Sequence, residues 1–223
     1  SITGGSSICP GGSAALTAAG ANTYTWSTSA TTTSISVSPT ITTTYTVTGT
    51  AATGCTNTAV ITVTVNPLPT INVSTSSSVI CVGQTANLNA SGASTYTWMP
   101  GTLVGAAVVA NPTVNTTYTV TGTSAAGCTN TAVRSVTVNP LPTVNATASN
   151  SVICAGQSTT LTASGASTYT WNPGGVTGSP IVVNPVATTV YTVIGVNTGG
   201  CSNTAVRTIT VNTLPTINTT SSS

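Results

Sequence analysis

Along most of this chain, hydrophobic and hydroxyl side chains take turns. Thr44-Tyr45-Thr46-Val47-Thr48, Ile61-Thr62-Val63-Thr64-Val65 and Thr117-Tyr118-Thr119-Val120-Thr121 alternate without a break. Successive side chains of an extended strand point to opposite faces, so a period of two predicts strands with one buried and one solvated face. No window carries an apolar stripe of helical period, and helix formers such as Leu and Met are scarce, so helix content is expected near nil. In the middle of the chain the pattern predicts strands over 70–75, 84–90, 94–99, 104–110 with a break near Gly105, 116–123 and 131–138. A Ser-rich turn leads to Cys81, Pro100-Gly101 turns the chain, and Ala125-Ala126-Gly127 closes a short hairpin.

The same pattern occurs three times. Cys9, Cys81 and Cys154 are each followed 17 residues later by Trp26, Trp98 and Trp171 inside Thr-Tyr-Thr-Trp, and then by Cys55, Cys128 and Cys201. Fixed self-similarity means repeated copies of one unit. Short strands separated by turn signals at this spacing predict an all-β protein of three tandem immunoglobulin-like antiparallel β-sandwiches in a rod-like array. The units are expected at 1–67, 68–140 and 141–213, with 214–223 as the start of a fourth unit or a donor strand. They meet at Asn66-Pro67-Leu68-Pro69, Asn139-Pro140-Leu141-Pro142 and Asn212-Thr213-Leu214-Pro215, where proline fixes φ and stiffens the connection. Trp26, Trp98 and Trp171 are expected to fill the cores, as are Tyr45, Tyr118 and Tyr191, in preference to stacking on carbohydrate.

Six cysteines in regular pairs suit disulfides better than metal. Zinc sites built on thiolates use close knuckles, and here no two cysteines are nearer than 26 residues. If one unit repeats its own bridge, Cys9 pairs with Cys55, Cys81 with Cys128 and Cys154 with Cys201. Such bridges persist in an oxidising, extracellular compartment and would staple domains too small to be stable unaided.

Composition narrows the chemistry. There is no Asp, Glu, His or Lys, and Arg134 and Arg207 are the only charged side chains. General acid–base catalysis, activated nucleophiles and carboxylate-built metal sites all lack their side chains, so no enzyme, catalytic residue, cofactor or metal is expected. Nucleic acid is not an expected partner without clustered Lys and Arg, and no apolar run is long enough to insert in a membrane as a helix. Weak charge repulsion instead favours self-association. Both arginines fall six residues after a cysteine, where the first repeat has Ile61, and read as solvated strand positions.

Taken together, Cys-x-Gly-Gln, Ser-Gly-Ala-Ser-Thr-Tyr-Thr-Trp, Thr-Thr-Tyr-Thr-Val-Thr-Gly-Thr, Gly-Cys-Thr-Asn-Thr-Ala and Val-Asn-Pro-Leu-Pro resemble the Ig-like or PKD-like repeats of giant Bacteroidota surface proteins. That resemblance, which covers the whole chain, implies type IX secretion and a role in gliding-associated adhesins and cell-surface stalks. The acidic turn that usually follows the Trp in PKD domains is replaced by Ser27-Thr28, Met99-Pro100 or Asn172-Pro173. The expected function is a non-enzymatic structural subunit or repeat segment of an extracellular filament or adhesive stalk, assembled head to tail with itself. Alternatives are a glycan- or ice-binding adhesin module, or a passive spacer of a larger secreted enzyme. Units two and three open on Leu-Pro-Thr-(Ile/Val)-Asn and unit one does not, so Leu214, Pro215, Thr216, Ile217 and Asn218 are expected to add an inter-subunit strand to an incomplete first unit of the next copy.

Overall fold

The computed structural model describes residues 1–217, and every regular element among them is a β-strand. In the first repeat Ala14–Ala18 lies between Ile2–Gly4 and Ser34–Val37 in a three-stranded antiparallel sheet. A four-stranded sheet runs Ser7–Ile8, Thr56–Val65, Thr43–Thr50, Thr23–Trp26. Its short outer strand is parallel to its neighbour, with Ile8 opposite Val65, and the other pairings are antiparallel.

The third repeat has the same plan. Asn145–Ala148, Thr159–Ser164 and Ile181–Val183 form the small sheet. Val152–Cys154, Ser202–Asn212, Thr189–Val196, Thr168–Asn172 and Val176–Thr177 form the large one, again with a parallel outer strand. The middle repeat has Asn72–Thr75, Ala86–Ser91 and Ala107–Ala110 in one sheet. Its other sheet runs Val79–Cys81, Thr129–Asn139, Thr116–Thr123, Thr95–Met99, Leu103–Val104. This is a tandem immunoglobulin-like all-β architecture. The chain divides into two compact units, one of residues 1–77, 86–110 and 117–135, the other of 78–85, 111–116 and 136 onward.

Alternation places the cores. In Ala14–Ala18, Ala14, Leu16 and Ala18 are buried and the two residues between them are exposed. Leu16 of the small sheet meets Trp26, Tyr45, Val47 and Val63 of the large one in a single cluster. Leu161, Trp171, Tyr191, Val193 and Ile209 do the same in the third repeat. Each large apolar side chain removed from water contributes roughly 1.5–3 kcal/mol. The indole N–H groups of Trp26, Trp98 and Trp171 donate to the carbonyls of Thr32, Gly105 and Gly178 at 2.8, 3.0 and 3.1 Å. A buried ring with its donor satisfied leaves no face for a sugar.

Three details depart from the pattern-based reading. The strand expected over 104–110 is two strands on different sheets: Leu103 pairs with Trp98, while Ala107–Ala110 pairs with Ala86–Asn89. Gly105, at φ +129°, makes the crossing between them. The Ser-rich turn before Cys81 contains the parallel strand Val79–Cys81, too short for alternation to register. The arginines are not fully solvated. Arg207 lies directly across from Tyr191, as Ile61 does from Tyr45, and the Nε atoms of Arg134 and Arg207 are buried with no hydrogen-bond partner.

The small sheet of the first repeat has a third strand at its edge. Ile2–Gly4 takes the edge beside Ala14–Ala18, with Ile2 opposite Ala18 just as Val73 lies opposite Ala90. The segments matching the tail, 68–71 and 141–144, carry no strand. Leu214 to Ile217 carry none either, and Asn218 lies outside the described residues.

Candidate junction sites

Cys9 is bonded to Cys128 and Cys81 to Cys201, with Cα atoms 5.5 and 5.6 Å apart. This corrects the within-repeat scheme. Each bond joins the first cysteine of one repeat to the second cysteine of the next, 119 and 120 residues along. Cys55 and Cys154 are free and exposed.

The reason lies in the short parallel strand. Ser7–Ile8 delivers Cys9 to the far end of Thr56–Val65, beside Val65, while Cys55 sits just before that strand begins. Ten residues of strand separate the two by roughly 30 Å, at ~3.3 Å per residue. A disulfide needs Cα atoms within about 7 Å. The third repeat is built alike: Cys154 is opposite Asn212 and Cys201 precedes Ser202 at the other end of the same strand.

What brings the bonded cysteines together is the linker, which folds onto the repeat that follows it. Cys128 Sγ lies 3.7 Å from the Asn66 carbonyl, and Cys201 Sγ 3.7 Å from that of Asn139. Asn130 Nδ2 donates to the Pro69 carbonyl at 2.9 Å, and Asn203 Nδ2 to that of Pro142 at 3.0 Å. Two glycines in each of the second and third repeats make room. A Cβ on Gly92 would lie 1.8 Å from the Thr70 carbonyl oxygen, and one on Gly165 1.8 Å from that of Thr143. A Cβ on Gly122 would meet Ile71 Cδ1 at 2.3 Å, and one on Gly195 would meet Val144 Cγ2 at 2.6 Å. The linker is thus seated in a groove shaped for it.

In the first repeat the same groove is empty. A Cβ on Gly20 would meet nothing within 4 Å, and the atoms nearest to one on Gly49 would be those of Ala21 and Tyr24, not of a linker. A cavity of about 270 Å³ opens there, walled by Gly20, Ala21, Tyr24, Gly49, Cys55 and Asn57 among others. Tyr24, Tyr96 and Tyr169 each brace the groove wall, the hydroxyl accepting from and donating to the backbone of Ala21, Ala93 or Ala166 at 2.7–3.0 Å.

Both free cysteines stand in loops with the geometry of their bonded counterparts. Gly54 N donates to the Ala51 carbonyl at 2.9 Å and Ala51 N to that of Cys55 at 2.9 Å, as Gly127, Ser124 and Cys128 do at 3.0 and 2.8 Å. Cys154 N donates to Gln157 Oε1 at 3.2 Å and Cys81 N to Gln84 Oε1 at 2.9 Å. This is the task of the Cys-x-Gly-Gln motif. Val82 N donates to the Asn139 carbonyl at 3.0 Å, and Ala155 N to that of Asn212 at 2.9 Å. Spacing along the chain carries no sign of pairing across the repeat boundary, since the bonded cysteines are 119 and 120 residues apart.

Among the described residues no group of His, Cys, Asp or Glu could hold a metal, and no helix is long and apolar enough to cross a membrane. Burial raises the phenols of Tyr118 and Tyr191 above their ordinary pKa.

No family model matches the chain, and no curated protein matches it. Among solved structures it is similar to a Ca²⁺-stabilised adhesin that helps an Antarctic bacterium reach out and bind ice. That match has 19% identity and a TM-score of 0.42 over 98% of this chain and 75% of that one. It is similar to a part of a 1.5-MDa bacterial ice-binding adhesin, with 17% identity and a TM-score of 0.35 over 96% and 98%. A third match is the three-domain Ig ectodomain of mouse nectin-like molecule 4, with 14% identity and a TM-score of 0.36 over 97% and 100%. These neighbours are Ig-like and adhesin-type β-sandwich proteins.

Proposed function

We propose that this chain is a non-enzymatic structural segment of an extracellular bacterial filament or adhesive stalk whose units join head to tail. One observation carries the reading. The same junction, a seated linker and a disulfide, is built twice along the chain, and the matching cysteines of the first and third repeats, Cys55 and Cys154, are free among the described residues. A surface that is complementary to a different surface of the same molecule generates open, growing assemblies. Stapled junctions suit a load-bearing fibre, and disulfides of this kind persist outside the reducing cytoplasm. The motif resemblance to Bacteroidota surface repeats favours type IX secretion and a place on the cell surface. Purified, oxidised full chain is expected to form filaments by electron microscopy and high-mass species by size exclusion. A monodisperse monomer at all concentrations overturns the reading.

A glycan- or ice-binding face is the second reading, favoured by hydroxyl rows such as Thr25, Thr48 and Thr58, which lie opposite one another on three adjacent strands. The row recurs in part in the middle repeat, where Thr97 lies opposite Thr121, but is interrupted in the third, where Thr170 and Thr204 flank Ile194. An extended binding face needs periodicity, so the structural role is preferred. Reproducible binding on a glycan array or to ice, lost on replacing Thr25 and Thr58, would reverse that preference.

A further inference from the structure

We infer that Cys154 of one copy forms a disulfide with Cys55 of a second copy, while Leu214 to Ile217 of the first copy occupy the empty groove at Gly49 of the second. The inference rests on the head-to-tail reading and specifies its chemistry.

The two internal junctions supply the template. Each consists of a first-type cysteine beside the Asn that opens a linker, a Leu-Pro-Thr-(Ile/Val) segment seated on the next repeat, and a second-type cysteine at the groove. Cys81 lies opposite Asn139, and Cys154 lies opposite Asn212 in the same parallel register. Leu214-Pro215-Thr216-Ile217 repeats Leu68-Pro69-Thr70-Ile71 letter for letter. In the seated copies Val144 is 8% exposed, whereas Ile217 is 85% exposed. The acceptor half is equally recognisable. Gly20 and Gly49 keep the positions of Gly92 and Gly122, with no linker residue lodged against them. Asn57 matches Asn130 and Asn203: its Oδ1 accepts from Thr58 N at 2.8 Å, as theirs accept from Thr131 and Thr204 at 2.9 Å. Asn130 and Asn203 reach a linker carbonyl through Nδ2, whereas Asn57 lines the cavity. Bonded Cys128 and Cys201 are 1% exposed, so closing the junction would bury Cys55 in turn.

The occupant is a second copy because this chain carries both halves. Two such surfaces on one molecule give a contact that does not close on itself. The step needs an electron acceptor, and a low-molecular-weight disulfide serves. The Cys154 thiolate attacks it and releases one small thiol; the Cys55 thiolate of the second copy attacks the mixed disulfide and releases the other. Two protein thiols are oxidised, one small disulfide is reduced to two thiols, and the two protons end on those thiols.

The test uses the full chain with oxidised glutathione, followed by non-reducing electrophoresis and peptide mapping. A ladder in steps of the 21.7 kDa chain with Cys154 linked to Cys55 is expected. Cys55→Ser and Cys154→Ser chains should each stay single, and an equal mixture should stop at covalent dimers. Ile217→Asp, at an exposed position that cannot unfold the chain, should slow coupling about tenfold, as loss of one seated apolar contact of ~1.4 kcal/mol would. Bonds between two Cys154 or two Cys55 residues, or coupling indifferent to Ile217→Asp, overturn the inference. Filaments that form with both thiols still free overturn it while leaving the head-to-tail reading standing. Monomers with two free thiols overturn both.

Discussion

The third repeat and the first carry one groove, filled in one and empty in the other. Around Gly165 and Gly195 it holds Thr143 and Val144 of the preceding linker, tied down by Asn203 and closed by the Cys81–Cys201 bond. Around Gly20 and Gly49 the same walls enclose open space beside a free Cys55. The difference teaches that the Asn-Pro-Leu-Pro linker is more than a stiff spacer. It is a packed element of the repeat that follows it, so each repeat is finished by its predecessor.

The disulfide provides the sharpest contrast. Replacing Cys81 and Cys201 with Ser is expected to lower the unfolding free energy by about 2–5 kcal/mol, measured by denaturant titration under oxidising conditions. Replacing Cys55 and Cys154 should leave the isolated chain unchanged, because neither is bonded within it.

Next comes the glycine at the groove wall. Gly165→Ala and Gly20→Ala share the strain of φ +93° and +99°, roughly 1–2 kcal/mol each. Only Gly165→Ala also drives a methyl into the Thr143 carbonyl, and the linker must leave at a further cost of about 1–3 kcal/mol. Equal melting temperatures for the two variants would show that the linker is not seated.

The asparagines give a finer comparison. Asn203→Ala and Asn57→Ala both lose the local bond to the next backbone N–H, but only Asn203 also donates to a linker carbonyl. Asn203→Ala should therefore be the more destabilising by about 1 kcal/mol. In oxidised, coupled chains the gap should close.

The smallest effect concerns alkaline pH. Burial favours the neutral phenols of Tyr118 and Tyr191, so their folded pKa lies above the unfolded value of about 10. Their contribution to stability is complete below that value and is lost as pH rises through the folded values. Absorbance titration should show these tyrosines ionising late, and the same alkaline loss in Asn57→Ala as in the wild type, since neither phenol belongs to the groove.

Much of this was written in the chain as pattern. Alternation in Thr44 to Thr48 and its counterparts marks strands, because the two faces of a strand see different solvents whatever the strand packs against. Burial of Trp26, Trp98 and Trp171 follows from ring size and from the nearby carbonyls that satisfy the indoles. The same residue-level logic failed at Val79 to Cys81, three residues whose direction no periodicity encodes.

Sequence by itself thus determined the strands, the threefold repetition and the lack of Asp, Glu, His and Lys, all of which are read from local side-chain chemistry. Only the tertiary structure decided which cysteines meet. A parallel strand of two or three residues carries the first cysteine of each repeat to the opposite end of the sheet from the second, and proximity in a sandwich is set by that path through space, for which spacing along the chain is no guide.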